Sequence, residues 1–229
     1  MATDYGNKSI VTDGLVFALD PANKQSWTGP NSSNVYDIIG TNMGTIYGGT
    51  SGSYGEFNSL DFDGVDDYMD LGTAVNLSTN STVLFWIKRE DTSAGNDVAL
   101  GQSTYSWGYL MSILSGGPTT STYVRIGSNY VAFDNGSLNL PTGEWSQIGF
   151  TRTDTTFKLY QNGVEKDEKT NESISGDTLF DRLFRAGPYV PNPAYYLNGE
   201  LSNLIGYNRT LSASEVLQNY NALKGRFGL

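Results

Sequence analysis

The chain has 229 residues, a formal net charge of −10 at pH 7, 27 glycines, 15 tyrosines and only 17% charged residues. It has no cysteine and no histidine, which excludes disulfides, thiol chemistry, a histidine general base and the commonest metal ligand. The negative charge argues against nucleic acid as a partner, because phosphate-backbone binding is driven by lysine and arginine displacing counterions, and no apolar run reaches bilayer-spanning length, which argues against a membrane.

Many glycines and aromatics with few charges describe short strands joined by tight turns. The start, Met1-Ala-Thr-Asp-Tyr-Gly-Asn-Lys8, lacks a basic stretch followed by an apolar one, so it does not read as a signal peptide. Residues 1–13 are polar and read as an N-terminal arm or edge. Leu15-Val-Phe-Ala-Leu19 is the first strand, ended by Asp20-Pro21. A region rich in Asn, Gly and Ser follows to about Ser53, with short extended pieces such as Thr45-Ile46-Tyr47. It reads as connections wrapped over a sheet.

In Leu60-Asp61-Phe62-Asp63 the apolar residues share one face and the carboxylates the other. Gly64 interrupts this strand, and Tyr68-Met69-Asp70-Leu71 is expected to resume it. Val83-Leu84-Phe85-Trp86-Ile87 is wholly apolar, which predicts a central strand covered on both faces. Further strands are expected at Val98–Leu100, Tyr109–Leu114, Tyr123–Ile126, Tyr130–Phe133, Trp145–Thr151, Phe157–Gln161, Leu183–Ala186 and Tyr195–Tyr207. Asn162-Gly163 is the strongest hairpin signal, since both residues tolerate the positive φ of a type I′ turn. Near the end, Ser212-Ala-Ser-Glu215 forms a capping box. Val216, Tyr220 and Leu223 then recur at helical spacing, with Gly225 placed to end the helix. No repeat or linker interrupts the pattern, so residues 1–229 read as one domain.

Four stretches resemble the concanavalin A-like, laminin-G-like family in order and spacing: Ser59-Leu-Asp-Phe-Asp-Gly-Val-Asp-Asp-Tyr-Met-Asp-Leu-Gly72, Ser81-Thr-Val-Leu-Phe-Trp-Ile-Lys88, Glu144-Trp-Ser-Gln-Ile-Gly-Phe-Thr-Arg152 with Leu159-Tyr-Gln-Asn-Gly163, and Leu197-Asn-Gly-Glu-Leu-Ser-Asn-Leu-Ile-Gly-Tyr-Asn-Arg-Thr-Leu-Ser212. The resemblance implies an all-β fold, a two-sheet antiparallel jelly-roll β-sandwich with one short C-terminal helix. The end segments, Ile10–Asp20 and Glu215–Leu229, are similar to the openings and closings of such domains in tailed-bacteriophage virion proteins. That likeness implies a non-enzymatic virion protein, either a capsid decoration, a head fibre or a tail-associated module. Its partners would be other virion proteins or copies of itself, and possible further ligands are host-surface glycans. The alternative is a bacterial carbohydrate-binding lectin module.

Family members often bind calcium at sandwich loops. The loops that carry acidic ligands in the pentraxin branch read Gln102–Gly108 and Ala186–Ala194 here, without a carboxylate. The acidic run Asp61, Asp63, Asp66, Asp67 and Asp70 reads as solvent-facing turn carboxylates on an edge hairpin, with a cation clasped by Asp63 and Asp66 as the alternative. No cofactor is otherwise implied. Glucanases on this fold alternate two glutamates and an aspartate on one strand, and no such run exists here. Sugar binding needs aromatic faces and nearby amides. Tyr105, Trp107 and Tyr109 lie near one loop and Tyr189, Asn192, Tyr195 and Tyr196 near another, and the family fold brings these loops together. The same rings would otherwise cover the rim of the core or face another subunit. The tail Arg226-Phe227-Gly228-Leu229 carries two apolar residues that either fold back on the sheet or dock into a partner.

Overall fold

Two antiparallel sheets stack through the apolar faces of their alternating strands in a computed structural model, which describes residues 9–29, 32–48, 59–90, 95–103, 109–115, 119–185 and 196–229. The seven-stranded sheet runs β1 (Leu15–Leu19), β16 (Asn198–Tyr207), β6 (Asn80–Arg89), β12 (Trp145–Thr153), β13 (Thr156–Gln161) and β14 (Val164–Thr170). β4 (Leu60–Asp63) pairs with the first half of β16, and β1 with the second half. The nine-stranded sheet runs β10 (Asn129–Ala132), β9 (Thr119–Ile126), β8 (Tyr109–Ser115), β7 (Gly95–Gly101), β15 (Thr178–Leu183), β5 (Tyr68–Leu77), β3 (Met43–Tyr47) and β2 (Asn34–Tyr36), with β11 (Leu138–Asn139) also on β9. This is the jelly-roll sandwich that the sequence predicts.

β6 shows why its sequence is apolar throughout. Val83, Phe85 and Ile87 enter the core between the sheets, while Leu84 and Trp86 point to the outer face and are buried there too. The cover is the helix α1 (Ala213–Leu223), which starts on the capping box: Ser212 accepts from the Glu215 N–H, and the Glu215 carboxylate accepts from the Ser212 N–H at 2.8 Å. α1 packs over the β13–β14 turn, where Asn162 (φ 53) and Gly163 (φ 77) take the expected positive angles. A Cβ on Gly163 would meet Leu217 Cδ1 at 2.9 Å and Tyr220 Cβ at 3.0 Å, so glycine serves both the turn and the helix contact.

Three expectations change. Tyr68–Leu71 does not resume the strand that Gly64 interrupts, because β4 and β5 belong to different sheets and the chain crosses the sandwich between them. The strand expected at Leu183–Ala186 lies earlier, at Thr178–Leu183. The helix does not end at Gly225; a 3₁₀ turn continues it over Lys224–Phe227, and the left-handed residue that stops it is Gly228 (φ 73).

Of the segment 1–13, residues 1–8 lie outside the described residues. The remainder is pinned: the Val11 N–H donates to Asn219 Oδ1 at 2.8 Å, and the Tyr207 hydroxyl donates to the Val11 carbonyl at 2.8 Å. Burial pushes the Tyr207 phenol up to about 12, with the Asn219 hydrogen bond opposing the rise. The tail folds back on its own sheet. Phe227 is 5% exposed and stacks on Trp86 at 4.1 Å between ring centroids and against Trp145 at 4.8 Å. Leu229, 52% exposed, lies beyond that contact.

Candidate carbohydrate-binding face

The acidic turn between β4 and β5 sets the position of the site. Gly64 (φ 74) lets the chain press against Asn198, whose Cα would lie 3.1 Å from any Cβ there. Asp63 Oδ1 accepts the N–H groups of Val65 at 2.8 Å and Asp66 at 3.4 Å, and Asp67 Oδ2 accepts the Asp63 N–H at 3.1 Å. Asp63, Asp66 and Asp67 lie together, with a carboxylate oxygen of each within 4.8 Å of the others. Asp67 departs from the expectation of a solvent-facing residue: it is 2% exposed, under the backbone of Gly48. Burial pushes its carboxyl up, the Asp63 N–H opposes this, and the charges of Asp63, Asp66 and Asp61 add to the rise. Asp63 and Asp67 thus serve the hydrogen bonds of a turn that hands the chain from one sheet to the other.

Tyr68 follows that turn, at the start of β5. On β5 and β3, Met69, Leu71 and Ile46 point into the core, so the residues between them point outward. The register places Tyr47 opposite Tyr68, Thr45 opposite Asp70, and Asp70 opposite Arg182 of β15. On the edge strand β2, Tyr36 stands opposite Met43. The β2–β3 pair and two strands remote from it in sequence, β5 and β15, thereby assemble one outer face.

The rings on this face form a row. Tyr47 stacks on Tyr68 with centroids 4.9 Å apart and planes at 14°. The Arg185 guanidinium carbon lies 4.4 Å from the Tyr68 centroid and 5.7 Å from that of Tyr196, and the Tyr68 and Tyr196 rings are 6.4 Å apart. Tyr47 fills one face of Tyr68, so Arg185 takes the other, where Tyr68, Arg185 and Tyr196 are mutual neighbours. Tyr47 is 47% exposed. Polar groups flank the row: Arg182 Nε sits 3.6 Å from Asp70 Oδ2, and Asp181 accepts the Ser103 N–H at 2.7 Å. Such a surface offers flat apolar rings beside fixed donors and acceptors, the combination that sugar rings and their hydroxyls require.

Of the sugar-binding residues expected from sequence, Tyr196 lies on this face. Tyr105, Trp107, Tyr189, Asn192 and Tyr195 lie outside the described residues, and Tyr109 begins β8 with its side chain likewise outside them. Tyr47, Tyr68, Arg182 and Arg185 were not expected. The alternation in Thr45-Ile46-Tyr47 and Tyr68-Met69-Asp70-Leu71 marks both tyrosines as outward, but only the pairing of β3 with β5 makes them neighbours. A concavity of about 320 Å³ lies on the other side of the sandwich, lined among others by Glu144, Trp145, Gln161, Lys166 and Leu229.

The sequence has no match among curated proteins. Its fold is similar to domain 4 of AbnA, a GH43 extracellular arabinanase from Geobacillus stearothermophilus, solved in complex with arabinotriose; the TM-score is 0.67 at 20% identity, over 90% of this chain and 98% of that domain. The binding domain of Paraclostridial Mosquitocidal Protein 1 gives 0.67 at 18% identity, over 92% of this chain and 52% of the other. Trypanosoma rangeli sialidase gives 0.62 at 16% identity, over 95% of this chain and 34% of the enzyme, so the chain corresponds to about a third of that protein. The model of the family described as the concanavalin A-like lectin/glucanases superfamily matches residues 63–217. With more than half of its length matched and the two-sheet sandwich in place, the chain belongs to the concanavalin A-like lectin/glucanases superfamily.

Proposed function

We propose that this protein is a non-enzymatic carbohydrate-recognition module that binds glycans across the β2–β3–β5–β15 end of its nine-stranded sheet. The observation that carries this reading is the Tyr47–Tyr68 stack on a sheet face, in which the Tyr47 ring is open to solvent. A stacked pair that leaves one ring open to solvent marks an interaction surface. The likeness in fold to an arabinanase domain solved with arabinotriose supports the same reading. The carboxylates on the strands beside the stack are engaged, Asp70 with Arg182 and Asp181 with Ser103, and in the neighbouring turn Asp63 and Asp67 accept backbone N–H groups. Glycoside hydrolysis calls for a free acid and base across the bond, and this supports binding without turnover. A glycan array of the isolated protein tests the proposal. Binding that disappears in Tyr47→Ala and Tyr68→Ala is expected; binding retained in both variants would refute the assignment of this face, and turnover of a bound polysaccharide would refute the non-enzymatic role.

The setting we propose is a bacteriophage virion, with the module serving as a capsid decoration, head fibre or tail-associated protein beside other virion proteins or copies of itself. The similarity of Ile10–Asp20 and Glu215–Leu229 to segments of virion proteins supports it. So does the layout, because residues 9–13, α1 and the tail cover the sandwich face opposite the tyrosine row, which leaves that row available for display. Mass spectrometry of purified particles would detect the chain at structural abundance. Its absence there, together with glycan binding, would favour the alternative, a bacterial lectin module.

A further inference from the structure

We infer that Arg185 makes this face selective for sugars that carry a carboxylate; the inference rests on the carbohydrate-recognition reading and adds the ligand's charge. In a chain with a formal net charge of −10, cations readily find partners. Lys88 is paired with Glu200, Lys158 with Glu165, Lys169 with Asp134, Arg182 with Asp70, Arg209 with Glu215 and Arg226 with Asp20. Arg185 differs. Among the described residues its contacts are with the rings of Tyr68 and Tyr196, and it has neither an ion pair nor a hydrogen bond. Residues 186–195, which follow it, contain no Asp or Glu to serve as a counter-ion.

A guanidinium held against two rings is restricted in orientation while its N–H donors remain in its own plane, the fork that a carboxylate meets with two parallel hydrogen bonds. Arg185 is half-buried, so its donors gain more from such a ligand than they would in open water. Position adds the rest. Arg185 lies behind Tyr68 as seen from the exposed ring of Tyr47, so a sugar stacked near Tyr47 and an acidic unit at Arg185 belong to one oligosaccharide running along the row. Asp63 and Asp66 are exposed in the neighbouring turn and oppose an anion. Their effect is one of solvent-screened charges, whereas Arg185 would make direct, charge-assisted contact, the stronger term.

Calorimetric titration of the whole protein with trigalacturonic acid, its methyl ester, 3′-sialyllactose, the methyl ester of that sugar, and lactose tests this. At least one acid is expected to bind about tenfold or more tightly than its own ester. The two acids distinguish a hexuronic from a nonulosonic ligand. Arg185→Gln is expected to abolish the difference between acid and ester, and Tyr47→Ala to weaken every ligand that binds. If acid and ester bind equally, or if the difference survives in Arg185→Gln, selectivity for carboxylates is refuted while the face stands as a site for neutral sugars. If no sugar binds and a broad glycan array is also silent, both readings fall.

Discussion

Leu84, Trp86, Ile205 and Tyr207 project from the outer face of the seven-stranded sheet, and Tyr47, Tyr68, Asp70 and Arg182 from that of the nine-stranded sheet. The first set is buried under α1, residues 9–13 and the tail, where Val216 and Phe227 complete two small apolar clusters. Among the described residues no such lid covers the second set at the β2–β3 edge, where Tyr36, Met43 and Tyr47 all stay exposed. Both faces are rich in aromatics, and the difference lies in what the chain places over them. A sandwich needs only the core between its sheets to hold together. What the chain adds outside that core decides which face is structural and which is free to bind.

The contrast can be broken most forcefully at Phe227. Replacing this ring, buried against Trp86 and Trp145, with alanine is expected to lower unfolding stability by about 3–5 kcal/mol, read from denaturant melts, without altering the affinity for glycans. A loss below about 1 kcal/mol would mean that the tail is not part of the cover.

Glu215→Gln probes the same lid at its start, with an expected loss of about 1 kcal/mol at neutral pH. The Arg209 guanidinium and the Ser212 N–H hold the Glu215 carboxyl down at about 2, against an ordinary value of 4.5. A depressed folded-state value stabilises the fold above the unfolded value and ceases to do so as the pH falls through the folded one. The gap between wild type and variant should therefore close between about pH 4.5 and pH 2; a gap that stays constant over this range would contradict the pairing. On the open face, Tyr47→Ala is expected to change stability by less than about 1 kcal/mol, because its ring is exposed and loses only one stacking contact. Its glycan affinity should nonetheless fall at least about tenfold, which separates a binding residue from a structural one.

The covered face was more legible in the sequence than the open one. Val83–Ile87 announces burial on both sides through its unbroken apolar run, and Ser212-Ala-Ser-Glu215 announces the helix that provides one cover. Both are local signals. Gly225, by contrast, is a local stop signal that tertiary packing overrides: the 3₁₀ turn carries the chain on to Phe227, whose contacts with Trp86 and Trp145 outweigh the preference of one glycine. The tyrosine face depends on register. Tyr47 and Tyr68 each alternate outward, but they meet only because Gly64 and Asp67 turn the chain out of the sheet of β4 and into the sheet that contains β3. A period of two reveals which side a residue takes and is silent about which strand lies beside it. The acidic run shows the same limit, since its spacing marks a turn but does not reveal that Asp67 lies buried beneath Gly48.

Hydrogen–deuterium exchange of the whole protein, with and without a saturating oligosaccharide selected on the array, compares the two faces most directly. Slower exchange across Asn34–Tyr47 and Tyr68–Gly72, with Ala213–Phe227 unchanged, is the result expected if the nine-stranded face binds. Protection confined to α1 and the tail would contradict the account.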